Sequence, residues 1–158
     1  MKFKITSEQL EKANYRNTFG KLKNSIKDGE GNYLGAVGEL VLMNYYKNKG
    51  ANVKNIQTFD FDFKLNDYKI EVKAQECKFK PKENWTCHVP NYNATQNCDY
   101  YAFVFVNLQK KEAYLEGMIT KQEWLNVRNF KKKGEMGYVK PYECDTWICL
   151  ISDLKKIN

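Results

Sequence analysis

Residues 58–75, TFDFDFKLNDYKIEVKAQ, alternate as a pair of strands does. Phe59, Phe61, Phe63 and Leu65 fall on one face of the first strand, and Asp60, Asp62 and Lys64 fall on the other. On the second strand Ile70, Val72 and Ala74 oppose Lys69, Glu71, Lys73 and Gln75. With Asn66-Asp67 as a two-residue turn, the resulting pairing sets Asp62 directly across from Glu71. Opposed residues of this kind have Cβ atoms about 4.5–5.5 Å apart, and two carboxylates there repel unless positive charge stands between them. A divalent cation meets that need. A solvated lattice of ion pairs, Asp60 across from Lys73 and Asp62 diagonal to Lys69, meets it as well, and the hairpin alone leaves both readings open.

A chain of 158 residues predicts one domain, residues 1–158, large enough to bury roughly 68–70% of its unfolded surface without disulfide or metal staples. The 15% aromatic content, mostly Tyr and Phe, and three Pro favour a folded, strand-containing protein over a disordered one. Lys and Arg outnumber Asp and Glu by 26 to 19, a formal net charge of +7 and a pI near 9.0, which suits a polyanionic partner. The N-terminus has no apolar leader and no run approaches a membrane span, so a soluble cytoplasmic protein with no membrane partner is expected. Five cysteines, Cys77, Cys87, Cys98, Cys144 and Cys149, read as reduced thiols in that setting.

Along the chain, Lys2–Ile5 suggests a short strand, and the capping pattern Thr6-Ser7-Glu8-Gln9 opens a helix through about Tyr15. Residues 17–32, with Lys21, Lys23 and Lys27, read as a connecting loop ending in Gly29-Glu30-Gly31-Asn32, able to approach a phosphate backbone. A helix is predicted from Tyr33 to about Asn48, stopped by Gly50. Its informative residue is Glu39, whose helix-surface neighbours are Gly35, Ala36, Leu42 and Met43; an unpaired carboxylate on so apolar a face is costly. Gly35 and Gly38 would let another backbone come close. The segment 76–98 is the least regular, interleaving Lys78, Lys80 and Lys82 with Trp85 and Tyr92, which fits a nucleic-acid contact or a solvated loop with Trp85 plugging the core. Buried strands are predicted near 99–106, 113–119 and 147–151, and a second capping box, Thr120 to Glu123, opens a helix to about Val127. Lys131, Lys132 and Lys133 form a basic turn.

His88 is the only histidine, which excludes zincin chemistry and leaves hydrolase triads without a suitable motif, and the cysteines lack zinc-site spacing. The dinucleotide and P-loop fingerprints fail as well, since no apolar strand precedes Gly29 and no Gly-Lys-Ser or Gly-Lys-Thr is present. What remains is a set of acids with one lysine: Glu39, Asp62, and Glu71-Val72-Lys73. Oxygen ligands of this type suit Mg2+ or Mn2+, and a neighbouring ammonium suits the charge that develops when a phosphodiester is hydrolysed.

This constellation resembles the signature of the PD-(D/E)xK nuclease superfamily, which includes small phage-encoded nucleases and Holliday junction resolvases. The similarity runs through Gly31-Asn32, Gly38-Glu39, the hairpin, Asp99-Tyr100-Tyr101 and Gly117-Met118-Ile119-Thr120. Phe61 stands where the family name has proline, and Asp60 is a second candidate for the metal-binding acid. Gln96 and Tyr100 show a Q-x-x-x-Y spacing found in some members and are not counted in the site. The resemblance implies an α/β protein with a restriction-endonuclease-like core, a mixed central sheet flanked by helices. It implies a Mg2+- or Mn2+-dependent nuclease on DNA, with RNA as an alternative substrate, leaving 5′-phosphate and 3′-hydroxyl ends, and a homodimer is compatible with it. Asp62 and Glu71 would hold the metal, Glu39 would join them directly or through water, Lys73 would act on water and the transition state, and Gln75 would touch the scissile phosphate. Gly31, Asn32, Lys80, Lys82, Trp85, Lys131, Lys132 and Lys133 are the candidate substrate contacts. The rival readings are a catalytically inactive nucleic-acid-binding module of the same fold and a hydrolase of some other phosphate ester.

Overall fold

The computed structural model describes residues 1–19 and 30–157, the side chains of 17–19 and 30–32 excepted. A strand, Lys2–Lys4 (β1), leads into the helix Ser7–Phe19 (α1). The predicted cap is present: Gln9 N–H donates to Thr6 Oγ1 at 3.2 Å, and Thr6 N–H donates to Gln9 Oε1 at 2.8 Å. Most of the predicted loop at 17–32, including Lys21, Lys23 and Lys27, lies outside the described residues. The second helix, Glu30–Asn48 (α2), starts earlier than its periodicity indicates, taking the backbone of Gly31 and Asn32 into its first turn. It stops where Gly50 adopts a φ of +78°, a left-handed conformation that a side chain would disfavour.

Next in the chain are the strands Val53–Asn55 (β2), Phe63–Leu65 (β3), Tyr68–Glu76 (β4), Thr86–Pro90 (β5), Tyr100–Asn107 (β6) and Glu112–Thr120 (β7). The helix Lys121–Val127 (α3), carrying the predicted Thr120–Glu123 capping box, precedes Asn129–Lys131 (β8) and Thr146–Leu150 (β9). Six strands form one sheet in the order β1-β7-β6-β4-β3-β2; β4 and β6 run parallel and every other neighbour is antiparallel, so the sheet is mixed as expected. A second, antiparallel sheet joins β5, β9 and β8.

The mixed sheet is flanked by helices as expected, and the second sheet shares one of its faces with α3. One face of the large sheet packs Ile70, Val72, Ala102, Val104 and Val106 beneath α1 and α2. The opposite face packs Tyr101, Phe103 and Phe105 against Cys87, Val89 and Cys149 of the small sheet and Trp124 of α3. Strand β6 is therefore buried on both faces, which explains its unbroken apolar run. Each side chain of this size removed from water contributes about 1.5–3 kcal/mol before entropy is counted. No helix among the described residues is long and apolar enough to cross a membrane.

Two local features bring the acids toward the sheet. A Cβ on Gly38 would lie 2.9 Å from Ala74 Cβ, so α2 sits against β4 only because residue 38 has no side chain, and Glu39 is thereby carried to the sheet. Gly35, expected to do the same, has open space around it. The other feature is the hairpin. Its register is Leu65 to Tyr68, Lys64 to Lys69 and Phe63 to Ile70, with Asn66 at φ 54° in the turn, as the pattern predicts. The predicted first strand is cut short, however, and regular pairing begins only at Phe63. Phe63 is buried beneath the helices, Phe61 packs on the opposite core and Phe59 is exposed, so the aromatic alternation does not mark one face.

Candidate active site

Just before β3 starts, Asp62 takes over its hydrogen bonding to β4. Asp62 N–H donates to Ile70 O at 3.0 Å, and Asp62 Oδ2 accepts the Val72 N–H at 2.7 Å, filling a bond that a longer strand would have supplied. The carboxyl thus lies against the β4 backbone just before the start of β3. Ile70 and Val72 belong to the helix-side core, so by alternation Glu71 and Lys73 project to the other side. Glu39 comes from the helix side. The three acids still influence one another, and both Glu39 and Glu71 push the Asp62 carboxyl upward.

Glu71 and Lys73 are 5% and 8% exposed, a burial that only paired charges tolerate. Lys73 Nζ donates to Glu71 Oε1 at 2.6 Å and to Gln96 Oε1 at 3.0 Å. Gln96 Nε2 donates to Glu71 Oε1 at 2.9 Å and to Phe59 O at 2.6 Å. Glu71 Oε1 is therefore well satisfied. Glu71 Oε2 is buried and has no hydrogen-bond partner among the described residues.

Glu39 Oε2 accepts two bonds, from Gln57 Nε2 at 2.7 Å and from Arg16 Nη1 at 3.1 Å. Gln57 reaches it from a backbone at φ 62°, a conformation that costs a residue with a side chain about 1–3 kcal/mol and that recurs at functional sites. Burial pushes the Glu39 carboxyl above its ordinary range, against the lowering effects of Gln57 and Arg16. Asp62 is pushed well above its ordinary range, first by burial and then by repulsion from Glu39 and Glu71, with the Val72 N–H and Lys73 acting the other way. The site holds more negative charge than its own cations balance comfortably. Among the described residues, no three His, Cys, Asp or Glu side chains are disposed to grip one ion as they stand.

The other expected residues divide. Asp60 Oδ1 accepts the Asn97 N–H at 3.0 Å, and Lys73 bonds to Glu71 and Gln96, so the ion-pair lattice of Asp60 with Lys73 is not formed. Gln75 is half-buried, and its Nε2 donates to Thr86 O at 3.1 Å while its Oε1 accepts the His88 N–H at 2.8 Å. Its amide ties β4 to β5 and keeps its second N–H. Trp85 is half-buried and packs edge-on against Phe105 at 6.1 Å, on the second core, as the core-plugging alternative has it. Lys80 and Lys82 are exposed past the end of β4. Lys131 pairs with Glu135 at 2.6 Å, and the backbones of Lys132 and Lys133 are held by Glu135 and Asp145 beside the small sheet. The side chains of Gly31 and Asn32 fall outside the described residues.

Three polar residues of the cluster lie beyond the set that the sequence marks. Gln96 has a signal in its spacing to Tyr100, although Tyr100 itself packs on Tyr68 at 5.5 Å. Arg16 and Gln57 have none, since nothing local links them to Glu39. No protein-family model matches the chain, and a search of curated proteins finds no similar sequence.

Proposed function

We propose that the chain is a Mg2+- or Mn2+-dependent nuclease acting on DNA, of the PD-(D/E)xK kind and with a restriction-endonuclease-like core. The observation that carries this reading is the buried Glu71 Oε2, without a partner among the described residues and beside two carboxyls that burial and mutual repulsion push upward. Hard oxygen donors in a charge-frustrated cluster suit a hard divalent cation. The arrangement of elements gives support too, with α2 ahead of the β3–β4 hairpin and β6 parallel beside β4.

Asp62 and Glu71 would hold the cation, with Glu39 joining them directly or through water. Bound there, it supplies charge to a phosphoryl oxygen and makes water a better nucleophile at neutral pH. Lys73 is fixed by Glu71 and Gln96, so its ammonium is pre-oriented to hold water and to meet the charge that develops on the phosphate. Gln96 is a positioning residue for that ammonium. The net charge of +7 favours a polyanionic substrate. A homodimer and a cytoplasmic location belong to the same proposal.

The test is strand cleavage. Purified protein with Mg2+ or Mn2+ should cut one or more of duplex, single-stranded and branched DNA, and EDTA, Lys73→Ala or Asp62→Asn should abolish the cutting in variants whose circular dichroism stays native. Failure of the wild type on all of these and on RNA would sink the reading in favour of a binding module, the alternative that the absence of a ready-made three-acid grip among the described residues favours.

A further inference from the structure

Glu39, Met43 and Lys47 follow one another at four-residue spacing along α2, so the surface beyond the acid cluster continues directly into the gap between α1 and α2. A cavity of about 200 Å3 opens there, lined by Lys12, Arg16, Lys47, Asn44, Asn55 and Glu8 among others. Three cations face one acid. Glu8 is paired with Lys12 at 2.6 Å, but its side chain is 73% exposed and that pair is a weak, solvent-screened one. The two asparagines add amide donors. This lining has the chemistry of an oxyanion site, and a guanidinium fits a phosphate as a planar fork.

Arg16 belongs to both places. It lines the cavity, and its Nη1 donates to Glu39 Oε2, the oxygen that also takes the Gln57 bond. A carboxylate oxygen offers about two lone-pair sites, and both on this oxygen are in use. Glu39 cannot turn that oxygen to a cation while both donors stay, which accords with the lack of a three-acid grip among the described residues.

We propose that the cavity between α1 and α2 is a phosphate subsite for the nucleic-acid strand, and that Arg16 couples its occupation to completion of the cation site. A phosphate entering the cavity draws the guanidinium away from Glu39, and the released oxygen becomes free to join Asp62, which the Glu39 carboxyl already adjoins, in holding the cation. This rests on the nuclease reading and adds to it an order of assembly: substrate backbone first, full cation grip second. Cation and strand then tighten each other's binding, because a coupling free energy is reciprocal.

The experiment is calorimetric titration with Ca2+, with and without a short DNA duplex whose integrity is checked on a gel. In the wild type the duplex should tighten Ca2+ by about tenfold, within the usual range of such couplings. Arg16→Ala should bind Ca2+ alone more tightly than the wild type, and the duplex should add little. Arg16→Lys, which keeps the charge and covers the case of a poorly folded alanine variant, should fall between them. Lys12→Ala with Lys47→Ala should weaken duplex binding and leave the affinity for Ca2+ alone in place. If Ca2+ binds in a manner that Asp62→Asn removes, yet Arg16→Ala retains wild-type affinity and coupling, the proposal is overturned and the nuclease reading stands. If neither Ca2+ nor Mn2+ binds the wild type, or Asp62→Asn binds them equally well, both fall together.

Discussion

Glu71, Lys73 and Gln75 lie on one face of one strand, yet the two ends of this polar row are built to opposite specifications. At Gln75, which is half-buried, both ends of the amide meet backbone groups of β5, so each end has a partner. At Glu71 a buried oxygen has no partner among the described residues, and the acids nearby are pushed toward their protonated forms. A strand that needed only stability would carry two joints of the first kind. The contrast separates a joint from a site, although the sequence writes both as alternating polar residues.

Breaking the site end should have the largest effect. Lys73→Ala should reduce cleavage by about 10²–10³-fold, the scale of losing one well-placed transition-state donor. It should also destabilise the fold by about 3–5 kcal/mol, because Glu71 keeps its burial and loses its cation. Adding Glu71→Gln to a Lys73→Met variant should recover most of that stability and none of the activity, as read by urea unfolding beside a cleavage assay. Recovery of activity together with stability would mean that the pair serves only the fold.

Breaking the joint should do the reverse at smaller scale. Gln75→Leu leaves Thr86 C=O and His88 N–H without their partner, a cost of about 1–3 kcal/mol for each buried group that water cannot reach. The midpoint of urea unfolding should fall accordingly, while cleavage per folded molecule and cation affinity stay near those of the wild type. A selective loss of cleavage with unchanged stability would return Gln75 to the substrate side.

How much of the molecule is legible in the chain depends on the range of the interaction. The hairpin register as far as Phe63 and Ile70, both capping boxes, the stop at Gly50 and the apolar strand predicted near 99–106 and found at 100–107 rest on local pattern, whereas the pairing of Asp62 with Glu71 lies beyond the ladder that forms. Strand β5 escapes a local reading because its partner β9 is supplied by the far end of the chain and its own five residues, ending in Pro90, look like loop. The late start of β3 is hidden for a related reason: Asp62, just before it, replaces a strand bond with a side-chain bond, and alternation carries no trace of that exchange. The site obeys the same rule. The acids and Lys73 have type and spacing to reveal them, whereas Arg16 and Gln57 reach Glu39 only through the packing of α1 and the turn before β3.

The two ends of the row should also answer acid in opposite directions. His88, on β5 beside the joint, is pushed down to about 4, first by burial and then by Lys140. Its folded pKa lies below the ordinary value near 6.5, so its neutral form contributes stability that is present above 6.5 and is lost as pH falls through that value toward 4, a change of up to roughly 3 kcal/mol. Asp62 and Glu39 have raised folded pKa values, so the native state holds their protons more tightly than the unfolded chain does. They cost stability as pH rises above the ordinary carboxyl range, and the cost is complete only above their folded pKa values. Asp62→Asn keeps an acceptor for the Val72 N–H and removes the charge, so it should stabilise the metal-free protein at neutral pH by about 1 kcal/mol, the scale of stabilising changes made at the expense of function. Melting temperatures measured from pH 4 to 8 should rise for this variant chiefly at the neutral end, whereas His88→Gln should flatten the acidic limb. Added Mg2+ should stabilise the wild type and leave Asp62→Asn unmoved; an equal Mg2+ response in both would remove Asp62 from the cation site and with it the contrast between the two ends of β4.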